Sequence, residues 1–514
     1  MLYKLASNNT EKERCYPIEL VLLLVYATLI IITSTYHELW RDEVRALSIV
    51  RSVNNFGELI SSLKNEGHPF VWYAILWCVD SVMRNPLSLK VSSIAVALLA
   101  ALVVLNARYL NRREKALWLF GMVPSFVYSV EARNYGIGML FLFLFVALRE
   151  QKPEKPILGG ALLFLLANTS AYGCVVSCAI LLAILLEALW DAGRARKFPR
   201  TPELLGFVVA VSGVFASALQ MYPDNTTIVS GAHQLSIPKI WGGLVSSLLS
   251  HFSVASKISI YDSKFSPLWV LLPSYLCFIN RPQLVFILFS SVIGFNFIGT
   301  MIYGNMDLRH QGFLTVVLFA TYWMYKQSTP SLTYPGTARR QIIMTRAAQW
   351  LISGFLIFQI YGSYNLIYRE IVTPQSPAPL VSEFFRAHEE YKDAIIIAEP
   401  DFYAETFPYY LPNRIYNMRE SRFRDWVSFT TQNKRTLTLE EVVETAKALH
   451  DQFGVPVLFF LGLPLDSEYV KFSFQKVFVT PSEQREFFRR KFQFLKHFAP
   501  GYSGEGYNLY RYLP

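Results

Sequence analysis

From Tyr16 onward the chain alternates long apolar runs with short charged breaks. The first run, "YPIELVLLLVYATLIIITSTY", carries one carboxylate, Glu19, and is followed at once by the charged stretch "HELWRDEVRALS" from His37 to Ser48. Runs of spanning or near-spanning length recur to about Tyr368, and about 20 consecutive apolar residues suffice for a helix to cross the hydrocarbon core. The first run lacks a small-residue cleavage site, so it is read as a retained helix and not a secretory signal. Beyond Arg369 the pattern becomes that of a soluble domain. "DAIIIAE" predicts a buried strand, "TLEEVVETAKALHDQFG" a helix capped by Thr438 and Glu441 and ended by Gly454, and "VPVLFFLG" the next strand. This texture predicts a small α/β domain over 371–514.

Composition agrees with a polytopic membrane protein. Of 514 residues, 53% are hydrophobic and 17% charged, and the mean hydropathy is +0.29. The net charge of +10 does not imply a nucleic-acid partner, because much of it falls in short loops between apolar runs. Those loops set the expected orientation, since Lys and Arg collect on the cytoplasmic side. The tail 1–16, "RYLNRREK" (108–115), "REQKPEKP" (149–156), "DAGRARKFPR" (191–200), Arg281 and "YPGTARRQ" are expected inside, with Asp42, Asn225 and the C-terminal domain outside. Parity then requires two apolar stretches, Phe70–Val82 and Ile240–Ile258, to lie at the outer interface without crossing. The former is short and carries Asp80, and the latter contains His251 and Lys257. About eleven spans remain. The five cysteines avoid the exported region and imply neither a disulfide framework nor a cysteine metal site.

Candidate chemistry collects at the outer ends of the apolar segments, in "RDEVR" (41–45), "NEGHPF" (65–70), "SVEARNYG" (129–136) and "MDLRHQG" (306–312). Ionisable groups at membrane depth are costly, so clusters of both signs on one face invite a functional reading. Taken singly, each could be a ring of charges reaching for interfacial water. Together they suit a carboxylate that deprotonates an acceptor hydroxyl or holds a divalent cation, beside Arg and His that grip a phosphate leaving group. That is the chemistry of sugar transfer from a polyprenyl phosphate. A transporter or lipid flippase is the alternative, but it would usually show internal repeats and mid-membrane ionisable residues.

"RDE" after the first span, "EGHPFVWYAILW", "EARNYG" and "RHQG" together resemble the GT-C membrane glycosyltransferases over about residues 17–330. The nearest likeness is to bacterial RgtA/B-like members of the glycosyltransferase 39 group, which are related to protein O-mannosyltransferases and aminoarabinose transferases. The resemblance implies a mainly α, polytopic GT-C fold with a catalytic membrane domain over 17–370, interfacial helices in a first outer loop over 36–87, and an extracytoplasmic C-terminal α/β domain. It implies an enzyme of the bacterial inner membrane in which donor and acceptor meet on the outer face: a hexosyl or pentosyl unit passes from polyprenyl phosphate to a lipopolysaccharide or other envelope glycan, a lipid or a protein. By the same resemblance Asp42 is the base or the acceptor-orienting carboxylate, with Glu43 its neighbour; if a divalent cation takes part, these two carboxylates are the ones that would hold it. Arg309, His310, Arg133 and His68 would bind donor phosphate. Glu66, Glu131, Tyr135 and Trp40 would contact or orient substrate. Relatives carry Lys-Pro or His-Pro after the acidic residue matched by Glu66; this chain has His68, so charge there depends on protonation.

Overall fold

The computed structural model describes residues 16–64, 66–151, 154–195, 199–222, 268–299, 308–327, 335–463, 465–472 and 476–514, together with 226, 238, 241–242, 258–260 and 263–265. The tail before Tyr16, Asn65, Asn225, His251, Lys257, nearly all of the expected interfacial stretch 240–258, and Met306 and Asp307 lie outside the described residues.

The apolar runs become helices. In the first half these are α1 (Tyr16–Tyr36), α2 (Arg41–Arg51), α3 (Phe56–Ser62), α4 (Val71–Met83), α5 (Leu87–Leu105) and α6 (Arg112–Leu119), then a π turn at Val123–Val127. There follow α7 (Tyr135–Leu148), α8 (Pro156–Ala167), α9 (Ala171–Ala195), α10 (Thr201–Met221), α11 (Leu268–Phe278), α12 (Pro282–Ile298), α13 (Leu308–Gln327) and α14 (Pro335–Val372). Among the described residues five helical stretches are long and apolar enough to cross a membrane: Pro17–Tyr36, Leu87–Leu105, Ala171–Asp191, Thr201–Met221 and Ile342–Val372. Their outward faces are apolar, as Leu20, Val21, Leu24 and Val25 on α1 illustrate, which is the surface lipid requires and water would not tolerate. The helix α4 has 13 residues, short for a span. The pair α8 and α10 cross so closely that a Cβ on Gly160 would meet the carbonyl oxygen of Gly206 at 2.0 Å, so small residues are required there.

The C-terminal domain follows a connector at 373–377. It contains α15 (Ala378–Ala387), β1 (Ile395–Glu399), α16 (Leu439–Phe453), β2 (Val457–Leu461), α17 (Ser482–Lys491), β3 (Phe492–Phe498) and β4 (Tyr507–Tyr512). Its main sheet has the order β3-β4-β2-β1, with β1 parallel to β2 and the other pairs antiparallel. Strand alternation divides the core in two. Ile396, Ala398, Leu458 and Phe460 face α15, while Ile395, Ile397, Val457 and Phe459 face α16 and α17. The expected helix cap is present: Glu441 N–H donates to Thr438 Oγ1 at 3.2 Å and Thr438 N–H to Glu441 Oε2 at 2.9 Å, and Gly454 closes the helix at φ +67°.

Candidate active site

The site forms where the N-terminus of α2, the loop between the π turn and α7, the loop before α4 and the start of α13 meet. Sequence explains each approach. Glu43 at the third position of α2 reaches back to the Trp40 N–H (3.3 Å), the returning half of a capping box, and fixes the helix start. The π turn around Pro124 ends with Tyr128, whose hydroxyl donates to the Arg309 carbonyl at 2.7 Å and pins α13 to it. Gly136 lets α7 begin against this turn, since a Cβ there would lie 2.7 Å from the Tyr128 carbonyl oxygen.

Asp42 lies at the centre. Arg309 Nη1 is 2.8 Å from Oδ2, Arg41 Nε is 3.1 Å from Oδ1, and Arg133 donates through Nη1 to the Asp42 backbone carbonyl. Asp42 keeps 22% of its side-chain surface and Arg309 15%, so the pair remains reachable. Burial alone would raise the Asp42 pKa, but the guanidiniums of Arg309, Arg41 and Arg133 outweigh it and hold the carboxyl well below the usual carboxylate range. Trp40 lies beside the Arg309 guanidinium, 5.4 Å from carbon to ring centre. Its indole Nε1 and the Arg133 Nε are buried without a protein acceptor. His68 receives a 3.4 Å contact from Asn134 Nδ2, and burial together with Arg133 and Arg309 pushes its pKa down to about 3. It is therefore neutral, a donor through one ring nitrogen and not a fixed positive charge. Glu131 is raised to about 7 by burial, against the pull of Arg309.

Other expected site residues stand differently. Glu43 does not pair with Arg41 or Arg45. It is fully buried, both oxygens lie within 3.0 Å of His37 Nε2, and Oε1 accepts the Ala132 N–H at 2.6 Å. This points it away from Asp42, because adjacent helical residues diverge by about 100°. Among the described residues no group of three or more His, Cys, Asp or Glu side chains is arranged to hold a metal ion, and Asp42 with Glu43 does not make one. Arg133 is not ion-paired to Glu131; the guanidinium turns to the Asp42 backbone. Glu66 is held bidentately by Arg45 at 2.8 and 2.7 Å, and Arg45 also reaches Glu405 of the C-terminal domain at 2.7 Å, so Glu66 braces the loop that carries His68. Tyr135 is 1% exposed and enclosed by Tyr128, Tyr172 and His310, with no open face for a sugar. His310 is itself sandwiched near Tyr172, 5.5 Å between ring centres.

Sequence reasoning did not single out Tyr128, Asn134 or Tyr172, and it did not anticipate the C-terminal residues at the rim. Arg41 lies 3.7 Å from Glu505 and over the rings of Phe402 and Tyr403. Tyr128 and Asn134 flank the "SVEARNYG" cluster and could have been found by proximity to it; no local signal marks Glu505.

No protein-family model matches the chain, and no curated protein matches it in sequence. Among solved structures it is similar to the crystal structure of ArnT from Cupriavidus metallidurans in the apo state, with a TM-score of 0.51 and 11% identity over 97% of this chain and 98% of that one. Identity that low speaks to fold. The mainly helical GT-C membrane fold with a small C-terminal sheet domain is the architecture of this chain.

Proposed function

We propose that the protein is a membrane glycosyltransferase that moves a sugar from a polyprenyl-phosphate donor to an envelope glycan, lipid or protein acceptor at the outer face of the bacterial inner membrane. One observation carries this reading: three guanidiniums converge on Asp42, just after the first apolar helix, in a site that also holds buried N–H donors of Trp40 and Arg133 without protein acceptors. Donors in such excess suit an oxygen-rich anion, and arginine suits phosphate by its planar fork.

In this reading Arg309 and Arg133 hold the phosphate, with neutral His68 as a further donor. Caged by arginines alone, Asp42 is a weak base. A phosphate that shares Arg309 and Arg133 loosens their hold on Asp42 and raises its proton affinity, so basicity develops when donor is bound. Asp42 then takes the acceptor hydroxyl proton as the acceptor oxygen bonds to the anomeric carbon. The bond from that carbon to the phosphate oxygen breaks on the opposite face, its electron pair leaving with polyprenyl phosphate, and the configuration inverts.

Two measurements test the reading. Purified protein in lipid should transfer sugar from polyprenyl-phosphate donors, and mass spectrometry of envelope glycolipids should find one sugar missing when the gene is deleted. An unchanged envelope glycome together with no transfer in vitro would sink it.

A further inference from the structure

Behind Asp42, on the far side of α2, lies a buried chain of polar contacts that no step of the proposed transfer uses. His37 stands between two carboxylates from distant parts of the sequence. Its Nε2 lies 2.9 Å from Glu43 Oε2 on α2, and its Nδ1 lies 2.7 Å from Glu370 Oε1 in the last turn of α14. The side chains of all three are 0–2% exposed. Glu43 in turn accepts the Ala132 N–H at 2.6 Å, one residue before Arg133. From the other direction, Lys90 Nζ on α5 donates to the carbonyls of Ser34 (2.7 Å) and His37 (2.6 Å), fixing the backbone that presents the imidazole. Glu38 and Glu131 complete the charged surroundings of His37.

A neutral imidazole has one N–H and can satisfy only one of these carboxylates; an imidazolium satisfies both. With both carboxylates ionised, the ring must carry its second proton to satisfy the two of them. The contact is also placed where it can matter to the site. Four elements meet in it: the turn after α1, the N-terminus of α2, the loop that carries Arg133, and the end of α14 that leads into the C-terminal domain.

We propose that His37 is a positioning residue: bridging Glu370 to Glu43, it aims the Glu43 carboxylate at the Ala132 amide and thereby seats Arg133 against Asp42. This rests on the reading of Arg133 as a donor-phosphate ligand beside the base Asp42. His37 touches no substrate; it acts through Glu43.

The test uses the full-length protein in lipid. His37→Gln keeps a donor for one carboxylate and abolishes the bridge, and Glu370→Gln attacks it from the other end should the first variant fold poorly. Hydrogen exchange at the Ala132 amide should speed up in both. KM for a polyprenyl-phosphate sugar should rise about tenfold, with a smaller fall in kcat, as expected when ground-state binding is lost. The double variant His37→Gln/Glu43→Gln should be no worse than Glu43→Gln alone, because residues acting through one another are not additive. Unchanged Ala132 exchange in a folded His37→Gln protein, or losses that multiply in the double variant, would overturn the proposal. A wild-type protein that uses no polyprenyl-phosphate donor would overturn the phosphate-seating claim through the functional reading, whereas the Ala132 amide reports on the bridge alone, so the two failures are told apart.

Discussion

Helix α13 carries a cluster of charge at each end, and the two clusters differ in kind. Arg309 begins the helix at Asp42, and Lys326 ends it at Glu114, about 25 Å away at 1.5 Å per residue. At the Lys326 end the described charged and aromatic side chains pair with one another. Lys326 Nζ sits 2.9 and 2.7 Å from the two oxygens of Glu114, Tyr322 donates to the same carboxylate, and Trp323 Nε1 donates to Glu150 at 2.6 Å. At the Arg309 end the guanidiniums of Arg309, Arg41 and Arg133 surround Asp42, with Glu505 3.7 Å from Arg41, and the Trp40 indole Nε1 and the Arg133 Nε lie buried without a protein acceptor. Closed bookkeeping marks a structural lock. An excess of guanidinium donors in a partly open site is what the proposed phosphate site requires.

Substitutions can break this comparison. The largest effect is expected at Asp42: Asp42→Asn keeps the shape and removes the base, so transfer should fall by roughly 10²–10⁴-fold, the range for losing a general base. Steady-state rates with the melting temperature alongside check it, and near-normal transfer by a folded variant would remove Asp42 from the chemistry. The counterpart at the other end is Glu114→Gln. Leaving half-buried Lys326 without its carboxylate should cost about 1–3 kcal/mol of stability while leaving KM for the donor unchanged. Thermal unfolding and donor kinetics measured together decide this, and a changed KM with intact stability would erase the contrast between the clusters.

Arg309→Ala comes next. Loss of a charge-assisted contact of about 1.5–3 kcal/mol corresponds to roughly a ten- to hundredfold loss of kcat/KM for the donor, and Arg309→Lys should restore it in part, because an ammonium lacks the bidentate fork. Wild-type turnover in the alanine variant would reduce Arg309 to an interfacial anchor.

The smallest effect concerns the rim where the C-terminal domain docks. Glu405 and Glu505 are both raised to about 7, chiefly by burial, against the pull of Arg45 and Arg41 respectively. A carboxyl whose folded pKa stands above its unfolded value favours the folded form when protonated. Its contribution is full below the ordinary value of 4.5 and is lost as pH rises through about 7. Docking should therefore loosen as pH rises across that window. Limited proteolysis of the connector at 373–377 measures it, and protection that is constant or grows with pH contradicts the assignment.

Sequence by itself determined the membrane character of the chain, the start of many apolar helices near a charged break, and the β-α-β texture after Arg369. These depend on local composition and period: lipid demands continuous apolar runs, a half-buried helix or strand demands 3.6- or 2-residue repetition, and caps such as Thr438 with Glu441 are read three residues apart. The motif residues that collect around Asp42 were also legible, because charge at the end of an apolar run is conspicuous one stretch at a time. Tertiary structure alone decided which of them face one another. Asp42 and Glu43 are neighbours in the chain, yet one opens onto three arginines and the other is buried against His37 and Ala132. Tyr135 looked like a sugar platform and is enclosed by aromatic rings. Glu370, 333 residues from His37, and Glu405 and Glu505 in the C-terminal domain have no local mark at all. The reason is physical: a side chain's solvation and charge neighbours, which set its protonation and its reach, are fixed by helix rotation and long-range packing, and neither is encoded within one turn of the sequence around it.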